Sequence, residues 1–148
     1  MANFVFTEFK RAVSEGEIDL NATDDIRVLL VMSNTTADTE EDADTIGGIT
    51  TLDEYDGASY SSGGEALTGE VVNEDNANDR AEFDATDATF STLGVGTRQA
   101  QAAIVYKWIT SVSLSMPIAY IDTGGFPFDG NGGNVTIQWN TEGIVQFT

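Results

Sequence analysis

Carboxylates are the residues of this sequence best able to do chemistry: there are 25 Asp and Glu against 6 Lys and Arg, with no His and no Cys. The absence of cysteine removes thiolate nucleophiles, thiolate metal sites and disulfides together. Without histidine, the usual general base near neutral pH and the commonest transition-metal ligand are missing too, so Ser-His-Asp and Cys-His catalysis are ruled out. An enzyme would have to run on a facing pair of carboxylates, as glycosidases do, and nothing in the spacing selects such a pair. The expectation is therefore a protein that is not an enzyme and that carries no cofactor.

Oxygen ligands for a hard cation are the other chemical option. Asp122, Asp129, Asn131 and Asn134 lie among glycines and supply the oxygens and loop freedom that calcium accepts. Their spacing is not that of an EF-hand loop, whose terminal bidentate glutamate is missing. A plain turn, built from residues that tolerate positive φ, explains the same composition, with calcium at Asp122, Asp129 and Asn131 as the alternative. The run from Thr39 to Asp44 reads as a solvated loop, with weak attraction of divalent ions as the alternative. Tyr60-Ser-Ser-Gly-Gly has the glycines of a phosphate loop, but no lysine follows to meet the phosphate, and that reading is rejected.

The formal charge of −19 limits the partners. Affinity for nucleic acid comes from cations that displace counterions, so a nucleic-acid role is disfavoured. An anionic membrane surface is disfavoured for the same reason, and no apolar run approaches the roughly 20 residues of a spanning helix. Asn3, Thr7 and Glu8 interrupt any leader-like pattern at the start, which points to synthesis and assembly in the cytoplasm.

The elements that must position these residues read as one β-rich domain over 1–148, long enough to close a modest core. Phe6, Phe9, Ala12 and Val13 recur at helical spacing and Gly16 supplies a stop, so residues 1–16 form a short N-terminal helix or arm. Ile26 to Met32 is a continuous apolar run that suits a strand buried on both faces. Residues 34–56 read as an acidic surface excursion with an ordered piece near Ile49 to Tyr55. Short strands are expected at Leu67–Val72, Arg80–Phe83 and Thr89–Leu93, and stronger ones at Ala102–Ile109 and Val112–Ile121. In the last of these Val112, Leu114 and Met116 alternate with serines, and Pro117 calls for an edge position or a bulge.

Gly124 to Gly133 is a turn or loop. Val135, Ile137 and Trp139 then alternate with polar residues, and Asn140 to Gly143 returns the chain to Ile144, Val145 and Phe147 as a terminal hairpin. The sum is a single antiparallel β-sandwich or barrel of mainly β class, jelly-roll-like in the simplest guess, with one short N-terminal helix. Trp108 and Trp139 sit in apolar strand patterns that suit core packing, with an interface role as the alternative.

Several stretches in succession carry a family resemblance. They are Tyr60-Ser-Ser-Gly-Gly-Glu-Ala-Leu-Thr-Gly69, Phe83-Asp-Ala-Thr-Asp-Ala-Thr-Phe90, Ala103-Ile-Val-Tyr-Lys107, Pro117-Ile-Ala-Tyr-Ile-Asp122 and Gly133-Asn-Val-Thr-Ile-Gln-Trp-Asn140, with Gly143-Ile-Val-Gln-Phe147. Phe9-Lys-Arg-Ala, Ile18-Asp-Leu20 and Ile26-Arg-Val-Leu-Leu30 precede them in the same order. Together they resemble a family of small virion structural proteins of tailed bacteriophages, of the head decoration or cement kind. The chain departs from that pattern at Tyr106-Lys-Trp-Ile-Thr110, where the family has Tyr-Lys-Asp-Thr-Gly, and in the acidic density of Asp38 to Asp44.

The resemblance implies a capsid decoration subunit that binds the major capsid protein on the outer surface of the head and stabilises the shell. It also implies self-association as a homotrimer at three-fold positions, assembled in the bacterial host cytoplasm. An outer position agrees with the charge, since a strongly acidic protein is repelled by packaged DNA. The alternative is a tail or host-recognition component of the virion that binds a receptor or glycan. The interface candidates are Phe4, Phe6, Phe9, Lys10 and Arg11, which concentrate aromatic groups and cations near the N-terminus, together with Trp108. The bland alternative is an ordinary helix packed on the domain's own sheet.

Overall fold

The computed structural model describes residues 3–21 and 23–148. Its strands are β1 (Phe4–Val5), β2 (Ile26–Met32), β3 (Glu65–Ala66), β4 (Val71–Asp75), β5 (Arg80–Asp84), β6 (Ala88–Phe90), β7 (Ala100–Lys107), β8 (Met116–Ile121), β9 (Val135–Ile137) and β10 (Val145–Phe147), with one α-helix, α1 (Thr7–Glu15). Every strand pair is antiparallel, so the mainly-β class with a short N-terminal helix is what the chain adopts. The sheets divide into five strands in the order β1-β8-β7-β2-β3, three in the order β10-β5-β4, and the pair β6-β9. That division differs from the two Greek-key sheets of a jelly roll.

The five-stranded sheet is buried on both faces because β2 and β7 are apolar at nearly every position. Ile26, Val28, Leu30 and Met32 point to one face, and Leu29 and Val31 to the other. The first face carries the main core, closed by α1 through Phe9 and Ala12 and by the small sheets through Phe83, Phe90, Ile137 and Val145. The second face is covered by the 34–56 segment. Ala37, Ala43, Ile46 and Ile49 from that segment bury against Leu29, Ile104, Tyr106 and Tyr120. This corrects the picture of 34–56 as a surface excursion: the carboxylates from Asp38 to Asp44 stay at the surface, but the apolar residues are a lid on the sheet and the Asp53 side chain is nearly buried. The segment returns along β2, where Met32 N–H bonds to Asp53 O at 2.7 Å and Tyr55 N–H to Leu30 O at 2.9 Å.

Helix α1 ends where the sequence demands. Gly16 takes the left-handed conformation at φ 71°, and the N–H groups of Gly16 and Glu17 bond back to Val13 O and Ala12 O. Pro117 sits opposite Tyr106 where the β7–β8 register shifts, so it marks a bulge; it is not on an edge, because β8 lies between β1 and β7.

Three strand expectations are not met, two for local reasons and one for a distant partner. Val112–Leu114 is a 3-10 turn, because Ser111 Oγ accepts the Leu114 N–H at 3.4 Å and Ser115 Oγ donates to Ser111 O at 2.7 Å. These serine hydroxyls offer the backbone partners that a strand would have taken from a neighbour. Of Leu67–Val72 only Val71 and Val72 lie in a strand, β4, while residues 67–70 link β3 to β4 through Gly69, whose φ is +66°. The terminal hairpin does not form. The Asn140–Gly143 turn is present, but β10 pairs with β5 and β9 pairs with β6, since Val145 then joins Phe83 in the core.

Candidate functional site

Charge is the first feature of the surface. All six cations are tied down internally: Lys10 to Glu41, Arg11 to Glu8, Glu15 and Glu17, Arg27 to Asp25, Arg80 to Asp75, Glu82 and Glu142, Arg98 to Asp53, and Lys107 to Asp24. Among the described residues, ten of the 25 carboxylates take part in these pairs, which leaves fifteen without a cation. Hydrogen bonds to Arg11 hold the Glu8 and Glu17 carboxyls below the usual range. The surface of the described residues therefore presents negative charge with no unpaired Lys or Arg to offset it.

The proposed calcium ligands are not brought together. Asp122 binds the side chain of Asn3, Asp129 accepts from Gln99 at 3.2 Å, Asn131 caps Gly133 N–H at 2.9 Å, and Asn134 caps Thr92 N–H at 3.0 Å. Each oxygen is engaged with a different partner, three of them distant in sequence, and among the described residues no group of three or more carboxylates converges.

The N-terminal interface candidates divide. Phe6 and Phe9 are 0% and 1% exposed, which corrects their assignment as docking residues: each occupies one of the two cores. Phe4 is half-buried and stacks on Tyr120 with ring centroids 5.2 Å apart. Lys10 and Arg11 are exposed, yet both are engaged in the pairs above. Trp108 is half-buried against the second core, and the Arg27 guanidinium lies 4.2 Å from its ring centre. The helix is thus chiefly a packing element of its own domain.

What the sequence did not disclose is an apolar strip beside that helix. The core-facing side of the β4-β5-β10 sheet runs past α1, so Val72 and Phe147 project beyond the core while Phe147 still meets Phe9 at 6.1 Å between ring centres. Two adjoining grooves of about 250 and 550 Å³ share Val13 and Phe147, and Val13 and Val72 remain 37% and 42% exposed. Strands β4 and β10 are the two edges of that sheet and keep open ladder groups. The sequence signal was faint, because Val72 and Phe147 look like any strand residue until their sheet is placed over the helix.

A second cleft, of about 460 Å³, lies where the 123–124 turn faces the end of β9. Ile121 and Ile137 supply apolar wall, and Thr123, Gln138, Trp139, Asn140 and Thr141 line the remainder. Trp139 is half-buried, its ring N–H donating to Thr86 O at 3.1 Å and its backbone N–H to Asp87 at 2.9 Å. Alternation had assigned this indole to core packing, which describes only part of its surface.

No protein-family model matches the chain, and neither a curated protein nor a solved structure shows a significant likeness to it. No helix among the described residues is long and apolar enough to cross a membrane.

Proposed function

We propose that the chain is a non-enzymatic virion structural protein of a tailed phage, a decoration or cement subunit that seats on the outer face of the major capsid shell. The observation that carries this reading is the pairing of every Lys and Arg with a carboxylate, which leaves a carboxylate-dominated exterior, together with an apolar strip at Val13, Val72 and Phe147 beside open sheet edges. Burial of that strip supplies non-directional attraction, while the carboxylates repel packaged DNA and favour an outward pose. Like charge between copies is screened beyond about 8 Å in physiological salt, so self-association as a homotrimer, which the family resemblance implies, is compatible with the charge. The resemblance in the order of motifs from Phe9 to Phe147 supports the same reading.

Electron cryomicroscopy of the native particle at side-chain resolution tests it. Symmetric oligomers on the outside of the head, with the Val13–Val72–Phe147 strip against the coat protein, are the expected result. Density for the chain only along the tail or at its tip would replace this reading with that of a host-recognition component.

A further inference from the structure

We infer that the Trp139 cleft is a binding site for an uncharged saccharide, taken as a pyranose ring laid on the indole and hydrogen-bonded by the neighbouring amide and hydroxyl side chains.

Charge sets this cleft apart. In a chain with 25 carboxylates, none of its lining residues is ionisable. Four other clefts each include at least one ionisable side chain: Arg11 and Glu17 in one, Lys10 in the second, Glu40 and Asp42 in the third, Asp19 in the fourth. The carboxylates adjacent in sequence are engaged elsewhere. Asp122 holds Asn3, Asp87 holds the Trp139 backbone, and Glu142 reaches Arg80 at 3.5 Å. An anionic ligand gains nothing here and meets the field of the whole molecule; a cationic one has better carboxylate partners nearby.

Preorganisation is the second observation. The indole is anchored by its own ring N–H and by its backbone N–H, so its orientation is fixed without a ligand, and a partly exposed aromatic face held in place is a stacking platform at low entropic cost. Around it, Thr123, Gln138 and Thr141 have no intramolecular side-chain partner among the described residues, and Asn140 uses only its amide oxygen, in a bond from Glu142 N–H at 2.9 Å. Paired donors and acceptors next to an apolar plate match the alternating hydroxyls and C–H face of a sugar, and a few placed polar groups on an apolar wall are the usual make-up of a small-molecule site. Gly124 completes the rim, with open space where a Cβ would stand.

The test uses the intact protein and a panel of methyl glycosides of glucose, galactose, mannose, N-acetylglucosamine and N-acetylgalactosamine, with N-acetylneuraminic acid as the charged comparison. Binding is followed on the two indole N–H resonances, so that Trp108 serves as the internal reference. At least one neutral glycoside should move the Trp139 resonance saturably and leave Trp108 unmoved, with an affinity in the millimolar range, about 1 mM. Gln138→Ala and Thr123→Ala, both at exposed positions, should each weaken it about tenfold, the equivalent of roughly 1.4 kcal/mol, with unchanged thermal unfolding. The inference is overturned if no neutral glycoside acts at about 20 mM, if the shift survives both variants, or if N-acetylneuraminic acid binds equally well. Binding is measured on the free chain, so a failure here leaves attachment to the head standing, and the converse holds as well.

Discussion

The Tyr60 hydroxyl donates to Glu54 Oε1 at 3.0 Å while accepting the Leu30 N–H at 3.0 Å, which ties the acidic return segment to the middle of β2. The bond answers a geometric problem. β3 pairs with β2 only at Arg27 and Val28, and the return segment takes the Leu30 carbonyl through Tyr55 N–H, so the Leu30 N–H is left to the Tyr60 hydroxyl. Glu54 also accepts from Ser62 Oγ at 3.0 Å and from Gly63 N–H at 2.5 Å. Tyr60→Phe removes two bonds and strands the Leu30 N–H in a half-buried setting. The expected loss is about 1–3 kcal/mol, read as a lower urea midpoint with an unchanged slope.

Alkaline pH should unfold the protein through its tyrosines. Burial pushes Tyr106 and Tyr120 up to about 12, and Tyr60 is raised further by burial and by Glu54. An unfolded tyrosine ionises near pH 10, so between about pH 10 and 12 the unfolded state holds fewer protons than the native one and stability falls as pH rises. Tyrosinate absorbance and circular dichroism should change together in that window. Absorbance rising fully near pH 10 with the fold intact would contradict the burial of these rings.

Salt should stabilise this protein. Fifteen carboxylates without cation partners repel one another, whereas the ion pairs of Lys10 and Arg11 are exposed and individually small contributors. Raising sodium chloride from about 10 to 500 mM shortens the screening length from roughly 30 Å to below 8 Å, and the unfolding temperature should rise. A falling unfolding temperature would mean that the internal pairs outweigh the repulsion.

Under the proposed decoration function, attachment to the shell should depend on the apolar strip. Val72 is 42% exposed, so Val72→Asp should fold normally yet bind capsids stripped of this protein about 30-fold more weakly, the loss of one interface anchor at about 2 kcal/mol. Val95→Asp, at a position 68% exposed and outside the strip, should bind as the parent does. Co-sedimentation with stripped capsids gives both numbers, and equal binding by Val72→Asp would place the docking surface elsewhere.

The sequence disclosed those features that one short stretch determines. Ile26–Met32 was legible because a strand buried on both faces needs apolar residues at both parities, and the end of α1 because Gly16 can take φ 71°. Pairing was not legible. Nothing in Ile144–Phe147 distinguishes β5 from β9 as its partner, since that choice rests on Phe83, some 60 residues earlier, filling the core beside Val145. Serine alternation at Val112–Ser115 imitated a strand because hydroxyls that cap a 3-10 turn and hydroxyls that face water recur at similar spacing. The apolar strip and the Trp139 cleft are likewise made by segments distant in sequence, and no single segment carries their signature.

Glycines at two positive-φ positions should respond very differently to the same substitution. At Gly64 a Cβ would stand 1.9 Å from the carbonyl oxygen of Val28 and 2.8 Å from the Leu29 Cα, both in the backbone of a central strand that cannot yield. At Gly124 nothing lies within 4 Å. Their φ values, 70° and 76°, impose a similar strain on alanine, about 1 kcal/mol. Gly124→Ala should therefore lose about that much, while Gly64→Ala adds a steric clash and should lose at least about 3 kcal/mol or fail to fold. Urea denaturation of the two variants separates conformational strain from close packing, and equal losses would mean that the 61–64 turn can move away from β2.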